Sequence, residues 1–407
     1  MLKNAIVGQS GGPSAVINST LAGVIDACFK SDDIGTLYGG RHGIEGMLAE
    51  DIINLSALYS EDMLNRLKAS PAMALGSCRF KLPSPSDGAE IYEKLEEIFK
   101  KYNIGYFFYI GGNDSMDTIL KLSRYFKEAG SDIKFAGVPK TIDNDLTLTD
   151  HTPGFGSSAK YLATTMREII TDTSIYNVKS VTIVEIMGRN SGWLTLAASL
   201  PKLLGGDKPD LTYLPERPFN DDSFIEDIKR AFEKSGNIVV AVSEGLKDEH
   251  GNYVGSSCQS GAVDIFGHAY LSGVGKYLEM LVRSKLGCKV RSIELNLMQR
   301  CSSHLASKTD VEEAFSVGFN AVQLAVGGNS GFMACIKRTN SNPYSYEIIP
   351  GDIEKIANYE KLVPDRWLDL DDPGVKREIV DYILPLTKGD AEKTLDEFCL
   401  PEHFSLL

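Results

Sequence analysis

Pro139-Lys140-Thr141-Ile142-Asp143-Asn144-Asp145 follows Ile133-Lys134-Phe135-Ala136-Gly137-Val138, an apolar run that reads as a buried strand. Two carboxylates, a hydroxyl, an amide and an ammonium are thereby delivered just past a strand's carboxyl end, where open α/β sheets bind ligands. Carboxylates at i and i+2 beside a lysine suit a proton acceptor, a metal ligand and a counter-charge for an anion. Taken alone, the same residues read more readily as a polar turn with an Asx cap. The surrounding sequence decides.

Immediately upstream, residues 106–110 form a second apolar strand ending in Gly111-Gly112-Asn113-Asp114-Ser115, and a helix is expected over 116–129. Strand, glycine turn, helix and strand make a βαβ crossover, which puts the turn at 111–115 and the stretch at 139–145 on one edge of a parallel sheet. Farther upstream a strand at 5–7 runs into Gly8-Gln9-Ser10-Gly11-Gly12-Pro13-Ser14 and a helix over 15–29. Glycines there let backbone N–H groups approach a phosphate at a helix N-terminus. The turn is not GxGxxG and lacks the Lys-Ser/Thr of a P-loop, so alone it reads equally as a packing turn. Gly273-Val274-Gly275-Lys276 falls within helical periodicity and is set aside. Arg79, in Leu75-Gly76-Ser77-Cys78-Arg79-Phe80, is either a phosphate contact or a solvated arginine.

Downstream, Gly154-Phe155-Gly156 turns the chain, and Ser157 is the candidate N-cap of a helix to about residue 170. A strand at 181–186 ends in Met187-Gly188-Arg189, and Gly192-Trp193 starts another helix. Further strands are expected at 211–213 and 238–242, the latter ending in Ser243-Glu244-Gly245. Two helices between 261 and 286 precede the run from Val290 to Arg300, then a helix over 309–326 and two strands over 331–349. The last stretch is acidic and weakly patterned, with one helical flank near 374–383.

The chain has 407 residues, 43% hydrophobic and 24% charged, which suits a soluble protein of two or three domains. A net charge of −13 argues against a nucleic-acid groove, so an anionic substrate needs a local basic cluster. The seven cysteines are never spaced CxxC and read as reduced thiols in a cytoplasmic setting. The six histidines form no HxxxH pair, and no apolar run reaches a membrane span.

Four of these elements, in this order, resemble the phosphofructokinase family over roughly residues 4–340: the Ser10-Gly11-Gly12 turn, the turn at 111–115, Thr141-Ile142-Asp143-Asn144-Asp145, and Met187-Gly188-Arg189. Glu244, Arg291, Gln299 and Arg300 fall at compatible spacing. The resemblance implies an α/β fold of two Rossmann-like three-layer domains with mainly parallel sheets and the active site in the interdomain cleft. The expected donor domain is 1–156 plus 299–348, and the sugar-phosphate domain 157–298 plus 349–407. By the same resemblance Asp143 is the base for the sugar's 1-hydroxyl, with an ordinary carboxylate pKa; Thr141, also catalytic, and Asp145 flank it, and Thr141 and Ile142 bind the substrate. Arg189 and Arg79 meet the transferring phosphoryl group. Gly11, Gly12, Gly112, Asp114 and Lys140 line the donor. Met187, Gly188, Glu244 and Gln299 touch the sugar, and Arg291 and Arg300 clamp its 6-phosphate. Magnesium falls to Asp145 and Asn113.

Members that use ATP resemble Gly-Gly-Asp-Gly and Pro-Gly-Thr-Ile-Asp-Asn-Asp, whereas this chain has Asp114 and Lys140 at the two glycine positions. A carboxylate there fills the nucleotide's space and repels its α-phosphate. The lysine puts positive charge where the departing phosphate of pyrophosphate gathers negative charge. The chain is thus similar to the pyrophosphate-dependent phosphofructokinases, with pyrophosphate and fructose 6-phosphate as substrates and a homodimer or homotetramer as the assembly. An ATP-dependent kinase, an NAD or lipid kinase and a non-catalytic sugar-phosphate sensor are the alternatives. Three departures from the family stand out: Asn113 for a magnesium-holding aspartate, Ser180 for an arginine that reaches a neighbouring subunit, and Leu297 for a histidine at the sugar phosphate. Leu21 and Ile25 stand where allosteric bacterial members carry effector-binding arginines, so a non-allosteric enzyme is expected.

Overall fold

A computed structural model describes residues 2–255 and 273–407. Among these, eleven strands form two sheets: β1 (Lys3–Gln9), β2 (Ile34–Gly40), β3 (Ile52–Asn54), β4 (Ile104–Gly111), β5 (Lys134–Pro139), β6 (Ser180–Ile186), β7 (Leu211–Tyr213), β8 (Asn237–Ser243), β9 (Lys289–Glu294), β10 (Phe332–Ser341) and β11 (Tyr344–Asp352). The first sheet runs β11-β10-β5-β4-β1-β2-β3, parallel except for its antiparallel edges β11 and β3. The second runs β7-β8-β6-β9 and is parallel throughout.

Strand periodicity sorts the side chains into layers. In β4, Phe108 and Ile110 enter a core with helices Ile17–Phe29, Glu61–Ala69 and Lys308–Val326, while Phe107 and Tyr109 enter one with Ala89–Lys101 and Asn113–Glu128. The second sheet is covered by Phe155–Ser174, Trp193–Ala198 and Pro373–Ile383 on one face, and by Asp221–Phe232 and Val274–Leu286 on the other. The result is two three-layer α/β lobes. Helices Ile17–Phe29 and Lys308–Val326 cross so closely that a Cβ on Gly23 would stand 2.1 Å from the Phe315 carbonyl oxygen. Glycine is therefore required there, and Leu21 and Ile25 are sealed inside, 0% and 1% exposed.

Several expectations shift. Of the two helices expected over 261–286, the second is Val274–Leu286 and the first lies outside the described residues. The helix expected from Ser157 starts at Phe155 and is capped from another element. The Asp310 carboxylate accepts the Gly154 N–H at 2.9 Å and the Ser157 N–H at 2.8 Å, a pairing that no local pattern could reveal. The expected domain boundary at 348/349 falls inside β11, which keeps residues 349–352 in the first sheet. The C-terminal extension then serves both lobes: Trp367 and Ile383 enter the second lobe's core, while Phe404 and Leu406 pack back on the first.

Candidate active site

Parallel register brings the donor-side loops together. Gly111 pairs with Pro139, and Ile110 lies between Gln9 and Val138, so β1, β4 and β5 release their loops side by side. The Lys140 N–H donates to the Gly111 carbonyl at 2.9 Å, and the Gly11 N–H to the Cys78 carbonyl at 3.2 Å, which ties in the loop carrying Arg79. Asn113, Asp114 and Ser115 are the first turn of helix Asn113–Glu128 rather than a free turn. In the central stretch the Thr141 hydroxyl accepts the Asp143 N–H at 3.1 Å. Asn144 turns left-handed, at φ 57°, a conformation asparagine tolerates, and so separates the two carboxylates.

Positive and negative groups then face each other. A Cβ built on Gly11 would stand 3.5 Å from the Lys140 ammonium, and one on Gly12 3.0 Å from the Arg300 guanidinium. Both cations therefore look onto the glycine turn, with Arg79 as an electrostatic neighbour of each. Arg300, expected at the sugar's 6-phosphate, thus stands against the donor turn. Burial pulls the Lys140 ammonium down to about 8, with Asp143 and Asp145 pulling the other way. Asp143 faces Lys140, Arg189 and Arg300. Its pKa is not the ordinary one expected: burial pushes it up, against the pull of these cations. Burial and the Asp143 charge push Asp145 to about 7. The inner oxygen of Asp145, Oδ1, is buried without a hydrogen-bond partner.

The second lobe closes the cleft. Ser191 donates its hydroxyl to the Asp143 carbonyl at 3.2 Å, which joins the Met187-Gly188-Arg189 loop to the central stretch. The Met187 N–H donates to Gln299 Oε1 at 3.1 Å, and the Glu244 carboxylate receives the Gly188 N–H at 3.4 Å. Burial and then the Asp143 charge push Glu244 to about 8. Met187, Glu244, Glu294, Asn296 and Gln299 line a small polar cleft at these strand ends. Ile142 faces away, into the second lobe's core beside Phe155.

Two expected residues lie elsewhere. Arg291 pairs with Thr182 in mid-β9, about 10 Å short of the strand's carboxyl end, exposed on the edge of the sheet. Asn113 has its amide committed to the C-terminal extension. Its Nδ2 donates to the Tyr359 carbonyl at 2.6 Å, and its Oδ1 accepts the Asn358 N–H at 2.7 Å. It is a docking post for that segment, with its Nδ2 and one lone pair of its Oδ1 committed there. Conversely, Glu360 and Lys361 enter the site unannounced. Glu360 is an electrostatic neighbour of Asp143 and Asp145, and the Lys361 N–H donates to the Asp145 carbonyl at 2.7 Å. They sit in an irregular stretch without periodicity, where one Glu-Lys pair in an acidic tail gives no signal.

The family model described as Phosphofructokinase matches residues 4–325. A protein of Xanthomonas campestris pv. campestris named pyrophosphate–fructose 6-phosphate 1-phosphotransferase is 41% identical over 405 residues, covering 99% of this chain and 96% of that one. A protein of the same name from Halomonas elongata is 40% identical over 390 residues, covering 95% and 92%. Among solved structures, a pyrophosphate-dependent phosphofructokinase from Marinobacter aquaeolei superposes with a TM-score of 0.85 at 37% identity, covering 99% of this chain and 95% of that one.

Proposed function

The chain belongs to the phosphofructokinase family, and on that premise we propose that it transfers a phosphoryl group reversibly from pyrophosphate to the 1-hydroxyl of fructose 6-phosphate, giving fructose 1,6-bisphosphate and phosphate. The observation that carries the donor choice is the Lys140 ammonium facing the glycine turn, with Asp114 in the first turn of the neighbouring helix. The Gly11-Gly12 turn offers backbone N–H groups, and Lys140 and Arg300 beside it, with Arg79 as their electrostatic neighbour, offer positive charge to the donor's phosphates. A nucleoside extending from them meets the Asp114 carboxylate.

In this reading Asp143 takes the proton of the sugar's 1-hydroxyl. A carboxylate pKa raised by burial makes it a stronger proton acceptor than a solvated one, with Lys140, Arg189 and Arg300 pulling the other way. Arg189, carried by the second lobe, neutralises the phosphoryl oxygens in flight, and guanidinium planes match those oxygens two at a time. Met187, Gly188, Glu244 and Gln299 orient the sugar. The unpartnered inner oxygen of Asp145 and its raised pKa suit a hard divalent cation such as magnesium. Asp145 would hold it, together with water and the donor's phosphates, and it would supply charge neutralisation to those phosphates. Among the described residues no three His, Cys, Asp or Glu side chains already converge as a metal cage.

A homo-oligomer is part of this reading by resemblance to the family alone; Arg291 is exposed on the β9 edge. Reduced thiols and the glycolytic substrates fit a cytoplasmic setting; among the described residues no helix is long and apolar enough to cross a membrane. The test is a coupled assay with fructose 6-phosphate and magnesium that compares pyrophosphate with ATP, on the parent chain and on Asp143→Ser. Pyrophosphate should support turnover and ATP should not, and Asp143→Ser should lower kcat about 10²- to 10⁴-fold with little change in sugar-phosphate affinity. Near-normal turnover of the variant would refute the base assignment.

A further inference from the structure

Residues 358–363, just beyond β11, cross from one lobe to the other through the back of the site. At the first lobe, the Asn358 amide donates to Asp117 Oδ1 at 2.9 Å, beside the two Asn113 bonds described above. At the second, Asn190 Nδ2 donates to Glu360 Oε1 at 2.7 Å, and the Val363 N–H donates to Glu216 Oε1 at 3.0 Å. The same Glu216 oxygen accepts the Gly192 N–H at 2.8 Å.

Lys361 lies at the centre of this crossing. Its ammonium donates to the Asp150 carbonyl at 2.8 Å, to Asn144 Oδ1 at 3.2 Å and to the Thr149 carbonyl at 3.3 Å. With the backbone bond to Asp145, all four acceptors belong to the single loop that leaves Asp143. Its carbonyl accepts the Trp193 Nε1–H at 2.8 Å, and its ammonium stands 5.1 Å above the Trp193 ring. Trp193 opens the helix four residues after Arg189.

A lysine that only satisfied buried carbonyls could draw them from anywhere. This one draws them all from the turn bearing the two carboxylates, and binds that turn to the wall bearing the phosphoryl-contacting arginine. We propose that Lys361 is a positioning residue for phosphoryl transfer, locking the Asp143–Asp145 turn of the first lobe onto the Arg189–Trp193 wall of the second. The proposal rests on reading Asp143 as the base. The chemistry asks for such a device because base and arginine come from different lobes, and a misplacement of about 1 Å costs about 100-fold in rate.

The test is a double-mutant cycle of Lys361→Met and Asp143→Ser in the full chain, with pyrophosphate, fructose 6-phosphate and saturating magnesium. Lys361→Met should lower kcat on the order of 100-fold and move either KM by less than about threefold. On the Asp143→Ser background the same change should cost less than about threefold more, because the base it positions is gone. An equal loss on both backgrounds, or a loss confined to KM, overturns the positioning role. Unimpaired turnover of Asp143→Ser alone instead overturns the base assignment, so the two failures are distinguishable. If Lys361→Met does not fold, Asn113→Ala cuts the far end of the crossing at the start of a helix. It should reproduce the kcat loss at roughly tenfold with the same non-additivity, and an unchanged kcat there overturns the proposal.

Discussion

Replacing Lys140 by methionine removes one charge from the donor turn and nothing of comparable volume. The Lys140 ammonium lies 3.5 Å from where a Cβ on Gly11 would stand, so a phosphate on this turn sits about 4 Å from it. At that separation and an effective dielectric constant of about 20, a unit charge is worth about 4 kcal/mol. Arg79 and Arg300 look onto the same turn and take up part of the loss, leaving about 2–4 kcal/mol. That corresponds to a fall of about 30- to 1000-fold in kcat/KM for pyrophosphate. The fold should survive, since burial already opposes this ammonium, holding it at about 8, and methionine needs no partner there. The assay couples fructose 1,6-bisphosphate to NADH oxidation at saturating sugar phosphate and magnesium, with pyrophosphate varied. The fructose 6-phosphate KM should stay put. A loss under about fivefold, or one carried by the sugar phosphate's KM, would show that Lys140 does not stabilise the departing phosphate.

Two further outcomes follow from burial. Leu21 and Ile25 are sealed between two helices and offer no cation to an effector's phosphate. Rate against fructose 6-phosphate should therefore be hyperbolic and unmoved by millimolar ADP or phosphoenolpyruvate; a sigmoidal curve that ADP straightens would refute this. Glu244, with a folded pKa of about 8 against 4.5 ordinarily, holds its proton more tightly folded than unfolded. Its contribution to stability is thus fully present below about pH 4.5 and declines as pH rises to about 8, by at most about 5 kcal/mol. The melting temperature of Glu244→Gln, without ligands, should fall less between pH 5 and 8.5 than that of the parent; coincident profiles would refute the assignment.

The fold was legible wherever strands and helices carry their own periodicity. The β4 and β5 runs, the glycine turn between them and the helix expected over 309–326 were all readable, because alternation and glycine placement are local properties. The turn at 111–115 and the stretch at 139–145 could even be placed side by side, since a parallel crossover leaves little choice of edge. The Ser157 cap was misread because its N–H groups are satisfied by Asp310, more than a hundred residues away. The docking role of Asn113 was not legible for the same reason, since its partners Asn358 and Tyr359 leave no mark on the sequence around it.

The sequence by itself determined the succession of strands, glycine turns and helices and put Lys140, the Asp143 and Asp145 carboxylates and Arg189 just past strand ends, because these are local properties; the two lobes and the roles of those groups came from the family resemblance. Only the tertiary structure decided how those groups behave. Burial moves the pKa values of Asp143, Asp145, Glu244 and Lys140 away from their ordinary ranges, and desolvation is a property of the whole packed cleft. It alone brought in Glu360 and Lys361, since an irregular segment is specified by the surfaces it bridges and not by any repeat of its own.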